Sequence, residues 1–154
     1  MRPFILFTYI IIGSGLLFVN IYNSVVDAPN WGRDIPNSLE TARNYFLKKT
    51  PADFFKIVGS LYHILGLIVV ILFWNFHPQA RWYLVSSFIL FVLADVLTVT
   101  YFFPRNEILF TQKPFDLEAA TKAWKEWSRM NWVRSLLLFT GIILSCIALH
   151  KTYR

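Results

Sequence analysis

Residues 54–103, FFKIVGSLYHILGLIVVILFWNFHPQARWYLVSSFILFVLADVLTVTYFF, decide the fold. They hold two apolar runs, Phe54–Phe76 and Trp82–Phe103, separated by one short polar turn around Pro78. A helix rises ~1.5 Å per residue, so ~20 residues cross a hydrocarbon core, and each run is long enough. A turn this short forces the second run back antiparallel to the first. Two further runs of membrane length, Phe4–Val26 and Trp132–Leu149, flank this hairpin. The expected fold is all-α: an integral membrane, antiparallel four-helix bundle, with residues 1–154 forming one transmembrane domain.

Composition agrees. With 56% of residues hydrophobic and 16% charged, the 154-residue chain has no room for a soluble domain beside four spans. The first run has too long an apolar core for a signal peptide, and Asn20–Ser24 lacks a small-x-small cleavage pattern, so it reads as a span. Cys146 is the sole cysteine, which excludes an intramolecular disulfide and a dithiol relay. The net charge of +6 is spread over loops and termini without a basic run, so nucleic acid is not an expected partner and membrane lipids are. Four spans put both termini on the side of the Phe76–Arg81 turn. That side carries Arg2, Arg81, Lys151 and Arg154 with no acid, which favours cytoplasmic termini.

The loops carry their own signals. Asn37 and Glu40 fit a helix start, and Ser38–Lys49 then reads as a short amphipathic helix with Leu39, Ala42, Tyr45 and Phe46 on one face. Thr50, Pro51 and Asp53 make a good start for the second span. Pro104 is expected to end the third. From Asp116 to Leu149 there is no proline, so the fourth helix should run roughly 50 Å and project beyond the bilayer. Trp124, Trp127 and Trp132 are then expected at the interface.

Six polar residues interrupt the apolar runs: Asn20, Asn23, His63, Asp95, Thr98 and Arg134. All lie nearer the face with the two long loops. Intramembrane polar groups are costly and usually face a protein interior or a cavity, so the bias toward one leaflet points to a pocket open on one side. Helical spacing gives three polar stripes: Lys56, Ser60 and His63; Asp95, Thr98, Phe102 and Arg105; Trp127, Asn131 and Arg134. Tyr22, Tyr62, Tyr101, Phe102 and Trp127 are candidate aromatic walls. Each candidate also has a plain structural reading. Asp95 and Arg134 would neutralise each other, His63 would bond a helix carbonyl, and Asn20 and Asn23 would hold helices together. From their relative depths, an Arg134–Asp95 contact, direct or through one water, is expected. A bundle di-iron site needs several carboxylates at mid-membrane; only Asp95 qualifies, so no metal site is expected.

Pro104-x-Asn106 after the third span and Trp127-x3-Asn131-x2-Arg134 leading into the fourth, with a first-loop Pro29 and a short helix after it, resemble the anthrone-oxygenase-like family of small four-helix membrane proteins. Some members of that family oxidise anthrones to anthraquinones with molecular oxygen and without a recognised metal. The resemblance makes Asn106, Trp127, Asn131 and Arg134 the family residues. It implies a lipophilic aromatic or quinone-like substrate, with His63 or Asp95 as base and Arg134 on the oxyanion. Asn20, Tyr101, Arg105, Asn106, Trp127 and Asn131 would then line the ligand site, with no cofactor assigned. The alternative is a non-catalytic subunit of a membrane complex, or a lipid- or pigment-binding protein.

Overall fold

The computed structural model describes residues 2–153, and among them there is no strand. Five helical elements follow one another: α1 (Arg2–Gly32), α2 (Asn37–Tyr45), α3 (Pro51–Phe73), α4 (Pro78–Phe110) and α5 (Leu117–Lys151). All except α2 are long and apolar enough to cross a membrane. The expected integral membrane four-helix bundle is what the chain forms. Its helices make a ring in which α1 packs on α3, α3 on α4, α4 on α5 and α5 on α1. Side-chain pairs fix the antiparallel sense. Ser87 meets Ser145 at 2.8 Å near one end of the α4–α5 pair, and Thr98 meets Arg134 at 3.2 Å near the other.

Lipid is as apolar as leucine, so close packing rather than expulsion from water must hold these helices together. Glycines permit it. A Cβ on Gly66 would come within 2.8 Å of Phe88, and one on Gly141 within 2.7 Å of Phe91. One core cluster, including Leu6, Tyr9, Tyr62, Phe73, Leu84 and Phe91, fills the membrane part of the ring. A second, around Trp31, Leu39, Phe102, Leu109 and Trp127, sits at the long-loop end. Ile57, Leu61, Ile64, Val96, Leu136 and Phe139 point outward, as a lipid-facing surface requires.

The helix ends show how local chemistry sets the elements. Thr50 and Asp53 form a reciprocal capping box at the start of α3, with the Thr50 N–H donating to the Asp53 carboxylate at 2.9 Å. Asp116 caps α5 by accepting from the Ala119 N–H at 3.0 Å. The 35 residues of α5 span about 50 Å, matching the extended fourth helix. On α2, Leu39 and Ala42 are buried, but the helix ends at Tyr45 and not at Lys49. Tyr45 is 81% exposed, so it is not on the buried face.

Two prolines behave differently from expectation. Pro104 does not end the third span, and Pro29 lies in the continuation of α1 and not in a loop. Each is preceded by one turn of π-helix, Asn23–Asp27 in α1 and Thr98–Phe102 in α4. In these turns the Ala28 N–H reaches back to the Asn23 carbonyl, and the Phe103 N–H to the Thr98 carbonyl. A proline inside a helix lacks an N–H and collides with the carbonyl four residues back. The widened turn just upstream relieves that conflict, and both helices pass through.

Candidate functional site

Both π-turns lie at the depth of the polar residues and face α5. Between α1 and α5 the buried amides interlock. Asn131 Nδ2 donates to the Asn20 carbonyl at 3.0 Å and to Ser24 Oγ at 2.6 Å. Asn20 Nδ2 donates in return to Ser135 Oγ at 2.7 Å and, at 3.3 Å, to the Asn131 carbonyl. Both asparagines are fully buried. Asn20 is therefore interhelical glue, and the Asn131 amide is locked with its nitrogen toward α1 and its oxygen toward the bundle interior.

That oxygen holds Arg134, whose Nη2 donates to Asn131 Oδ1 at 2.6 Å while Nη1 donates to Thr98 Oγ1 at 3.2 Å. The guanidinium carbon lies 4.3 Å from the centre of the Phe102 ring and 5.5 Å from that of Phe55. Its Nε is buried without a hydrogen-bond partner. Of the Arg134–Asp95 contact expected directly or through one water, the direct form is not made. Asp95 Oδ2 lies instead 3.5 Å from His63 Nδ1 on α3. The reason is angular: three residues turn a helix ~300°, so Asp95 faces α3 while Thr98, ~60° away, faces α5. Among the described residues, Arg134 thus hydrogen-bonds only neutral groups, and the Asp95 carboxylate lies near it without contact.

A cavity of about 680 Å³ opens in front of this arginine. Arg134, Thr98, Asp95, Asn23, Asn106 and Trp127 are polar residues of its inner lining, and Arg43, Lys56, Ser60, Glu107, Thr50 and Thr111 add polar and charged groups toward the loop end. Trp31, Phe46, Phe55, Phe103 and Phe110 supply aromatic wall. Trp127 is aimed by Asn106, whose Oδ1 accepts from the indole N–H at 2.9 Å. Trp31 packs edge-on against Trp127, with ring centres 5.1 Å apart.

Several residues expected at a ligand are elsewhere. Arg105 forms an ion pair with Glu126 across α4 and α5 at 2.7 Å, donates to the Tyr101 carbonyl, and covers the Tyr101 ring at 3.4 Å. Arg105 and Tyr101 therefore clamp two helices outside the cavity, because the π-turn rotates the stripe that 3.6-residue spacing would have aligned with Asp95. His63 stands behind Asp95, its Nδ1 2.8 Å from the Gly59 carbonyl, the plain reading of that histidine, while its buried Nε2 has no partner. Tyr62 stacks on Tyr9 in the membrane core, with ring centres 4.4 Å apart, and Tyr22 is 55% exposed, so neither is a wall. Phe102 lies against Arg134 behind the lining. Of the interfacial tryptophans, Trp132 is exposed, Trp127 is buried, and Trp124 donates to the Ala28 carbonyl at 2.7 Å. Among the described residues, no three His, Cys, Asp or Glu side chains come close enough to share a metal ion.

Sequence reasoning missed Ser24, Ser135 and Glu126. Ser24 and Ser135 each lie four residues after an asparagine of the network, a spacing that could have found them. Nothing marked Glu126 apart from the other charges of the α5 extension.

A family model for anthrone oxygenase matches residues 53–144, which include α3 from its first turn, all of α4 and most of α5. No curated protein and no solved structure matches the chain. The matched segment contains Asp95, Asn106, Trp127, Asn131 and Arg134, while Asn20 and Ser24 precede it. The match extends over more than half of the sequence and agrees with the motifs on α4 and α5: the chain belongs to the anthrone oxygenase family.

Proposed function

We propose that this membrane protein is a cofactor-independent oxygenase acting on a lipophilic hydroxylated aromatic of the anthrone type. One observation carries the reading: a guanidinium whose hydrogen bonds go only to neutral partners faces an aromatic-walled cavity that also holds the carboxylate of Asp95. An arginine held this way retains its charge for a ligand oxyanion, and an apolar aromatic wall strengthens that attraction once a ring displaces water from it.

The chemistry follows from those groups. Asp95 removes a proton from the ring methylene, and the electron pair moves onto the ketone oxygen, where Arg134 stabilises the oxyanion. Molecular oxygen accepts electrons from the carbanion carbon and forms a C–O bond there, giving a peroxide that regains the proton from Asp95. Loss of the remaining C–H proton with cleavage of the O–O bond leaves a second carbonyl and releases water. The methylene is oxidised by four electrons, and dioxygen supplies one carbonyl oxygen and one water. His63 supports Asp95 from behind. Asn106 and Trp127 define the wall against which the ring plane lies.

The test is oxygen uptake by vesicles containing the protein and 1,8-dihydroxyanthrone. We expect uptake matched by quinone formation, above the rate of protein-free vesicles, and lost in Asp95→Asn. A rate equal to protein-free vesicles would overturn the assignment. For orientation, the cations at Arg2, Arg81, Lys151 and Arg154 favour cytoplasmic termini. Labelling of cysteines placed beside Arg2 and Arg154 from outside intact cells would contradict this.

A further inference from the structure

The cavity raises the question of how a substrate reaches it, and the helix surfaces around it supply an answer. Along most of their length α3 and α4 pack together, but α3 makes no comparable contact with residues 98–110 of α4. The two helices therefore part toward the long-loop end. Lys56 and Ser60 on α3, and Asp95, Val99 and Phe103 on α4, line the cavity and are exposed, so the cavity is open along this parting. Gly59 is buried, yet a Cβ added to it would meet nothing within 4 Å, so unfilled space lies beside α3 at this level.

Depth decides what this opening faces. The capping box fixes the start of α3 at Pro51, and its 23 residues extend ~35 Å, little more than a hydrocarbon core of ~30 Å. Ser60 then lies ~14 Å along the helix, and Asp95 sits opposite His63, one turn deeper. The neighbours on the same outer surface are Ile57, Leu61, Ile64 and Val96, all exposed and apolar. A carboxylate whose side chain is 63% exposed on such a surface is costly if lipid covers it permanently. A passage that admits polar atoms and leads to Arg134 gives that carboxylate a role.

We propose that the parting between α3 and α4 is a lateral port, through which the site takes its substrate from the bilayer and not from water. The inference rests on the proposed function for the identity of the substrate, though not for the existence of the port. It narrows the substrate class to flat, membrane-dissolved aromatics bearing an ionisable hydroxyl or enolisable ketone. Such a molecule slides past Val99 and Phe103 with its oxygen atoms leading, toward Asp95 and Arg134. Lys56 snorkels toward the headgroups at the rim, where it attracts the oxyanion form.

The port can be tested without any substrate. Ser60→Cys and Val99→Cys, each in a Cys146→Ser background, are spin-labelled and reconstituted in phosphatidylcholine vesicles. Collision rates with dissolved oxygen and with an aqueous nickel chelate are then compared with labels at Ile57→Cys and Leu61→Cys, exposed apolar positions at the same depth. We expect labels at 60 and 99 to show an oxygen-to-chelate ratio at least as high as these lipid-facing controls. Chelate collisions clearly above the controls would mean a water-filled mouth and overturn the port. Labels reached by neither reagent would mean a covered or closed face and overturn it as well. A second measurement concerns passage: Val99→Trp should slow both uptake and release of 1,8-dihydroxyanthrone by about tenfold, with the equilibrium affinity nearly unchanged. Rates equal to wild type would contradict the route. If wild type binds no anthrone at all, the proposed function fails while the spin-label result still decides the port.

Discussion

Arg134 rests on Asn131, one turn back on the same helix, with its Nη2 2.6 Å from the asparagine side-chain oxygen. Asn131 is in turn fixed by α1, through the Asn20 carbonyl and Ser24 Oγ. Two hydrogen bonds in series, Ser24 to Asn131 and Asn131 to Arg134, therefore run from the π-turn of α1, outside the segment matched by the family model, to the charge at the cavity. The side chain of Asn131 is engaged by α1 and Arg134, where the family resemblance implied a place in the ligand lining.

Asn131→Asp separates the two roles. The new carboxylate still accepts from Arg134 but cannot donate to Ser24 or to the Asn20 carbonyl. Loss of those buried bonds should cost ~1–3 kcal/mol of stability. The added negative charge beside Arg134 should also weaken binding of an anionic phenol by at least about tenfold, or ~1.4 kcal/mol. Thermal unfolding in detergent and equilibrium binding of 1,8-dihydroxyanthrone check both. An unchanged affinity would mean that Arg134 does not meet the anion.

A double-mutant cycle on Arg134 and Asp95 tests the absence of a direct pair. Removing one member of a buried ion pair typically costs ~3–5 kcal/mol, and removing the second restores part of it. Here the coupling between Arg134→Gln and Asp95→Asn should stay near the ~0.6 kcal/mol average for polar contacts in membranes. Rescue of Arg134→Gln stability by Asp95→Asn would show that the two charges meet after all.

Arg105 offers the opposite case. Its pairing with Glu126 and its bond to the Tyr101 carbonyl place it outside the cavity. Arg105→Gln should lower stability by ~1 kcal/mol and leave anthrone affinity within about twofold of wild type. A large loss of binding at unchanged melting temperature would return Arg105 to the ligand site.

Much of the architecture was legible in the sequence because it depends on run length and local chemistry. Four apolar runs, the turn at Pro78 and the Thr50–Asp53 capping box each declare themselves within a few residues. The site was legible in part. Asp95, Asn106, Trp127 and Arg134 do share one cavity. Their partners were not readable, because partner choice depends on helix azimuth. A regular period assigns Asp95 and Arg105 to one stripe, but the π-turn at Thr98–Phe102 adds a residue to the turn between them. The same widened turns explain why Pro29 reads as a loop residue and Pro104 as a helix end, while both lie within continuous helices. Tyr62 misled for another reason: its ring is as apolar as it is polar, and it packs on Tyr9 in the core.

The central claim is that Arg134 holds the oxyanion of a bound aromatic, and the most direct measurement is the ionisation of that aromatic in the site. 1,8-Dihydroxyanthrone, kept under argon to prevent oxidation, is titrated by absorbance in vesicles containing wild type or Arg134→Gln. Wild type should bind the anion preferentially, so the anionic spectrum appears at lower pH than in protein-free vesicles. Arg134→Gln, shown to be folded by its melting curve, should lose that displacement. A bound spectrum that titrates identically with and without the guanidinium would contradict the account.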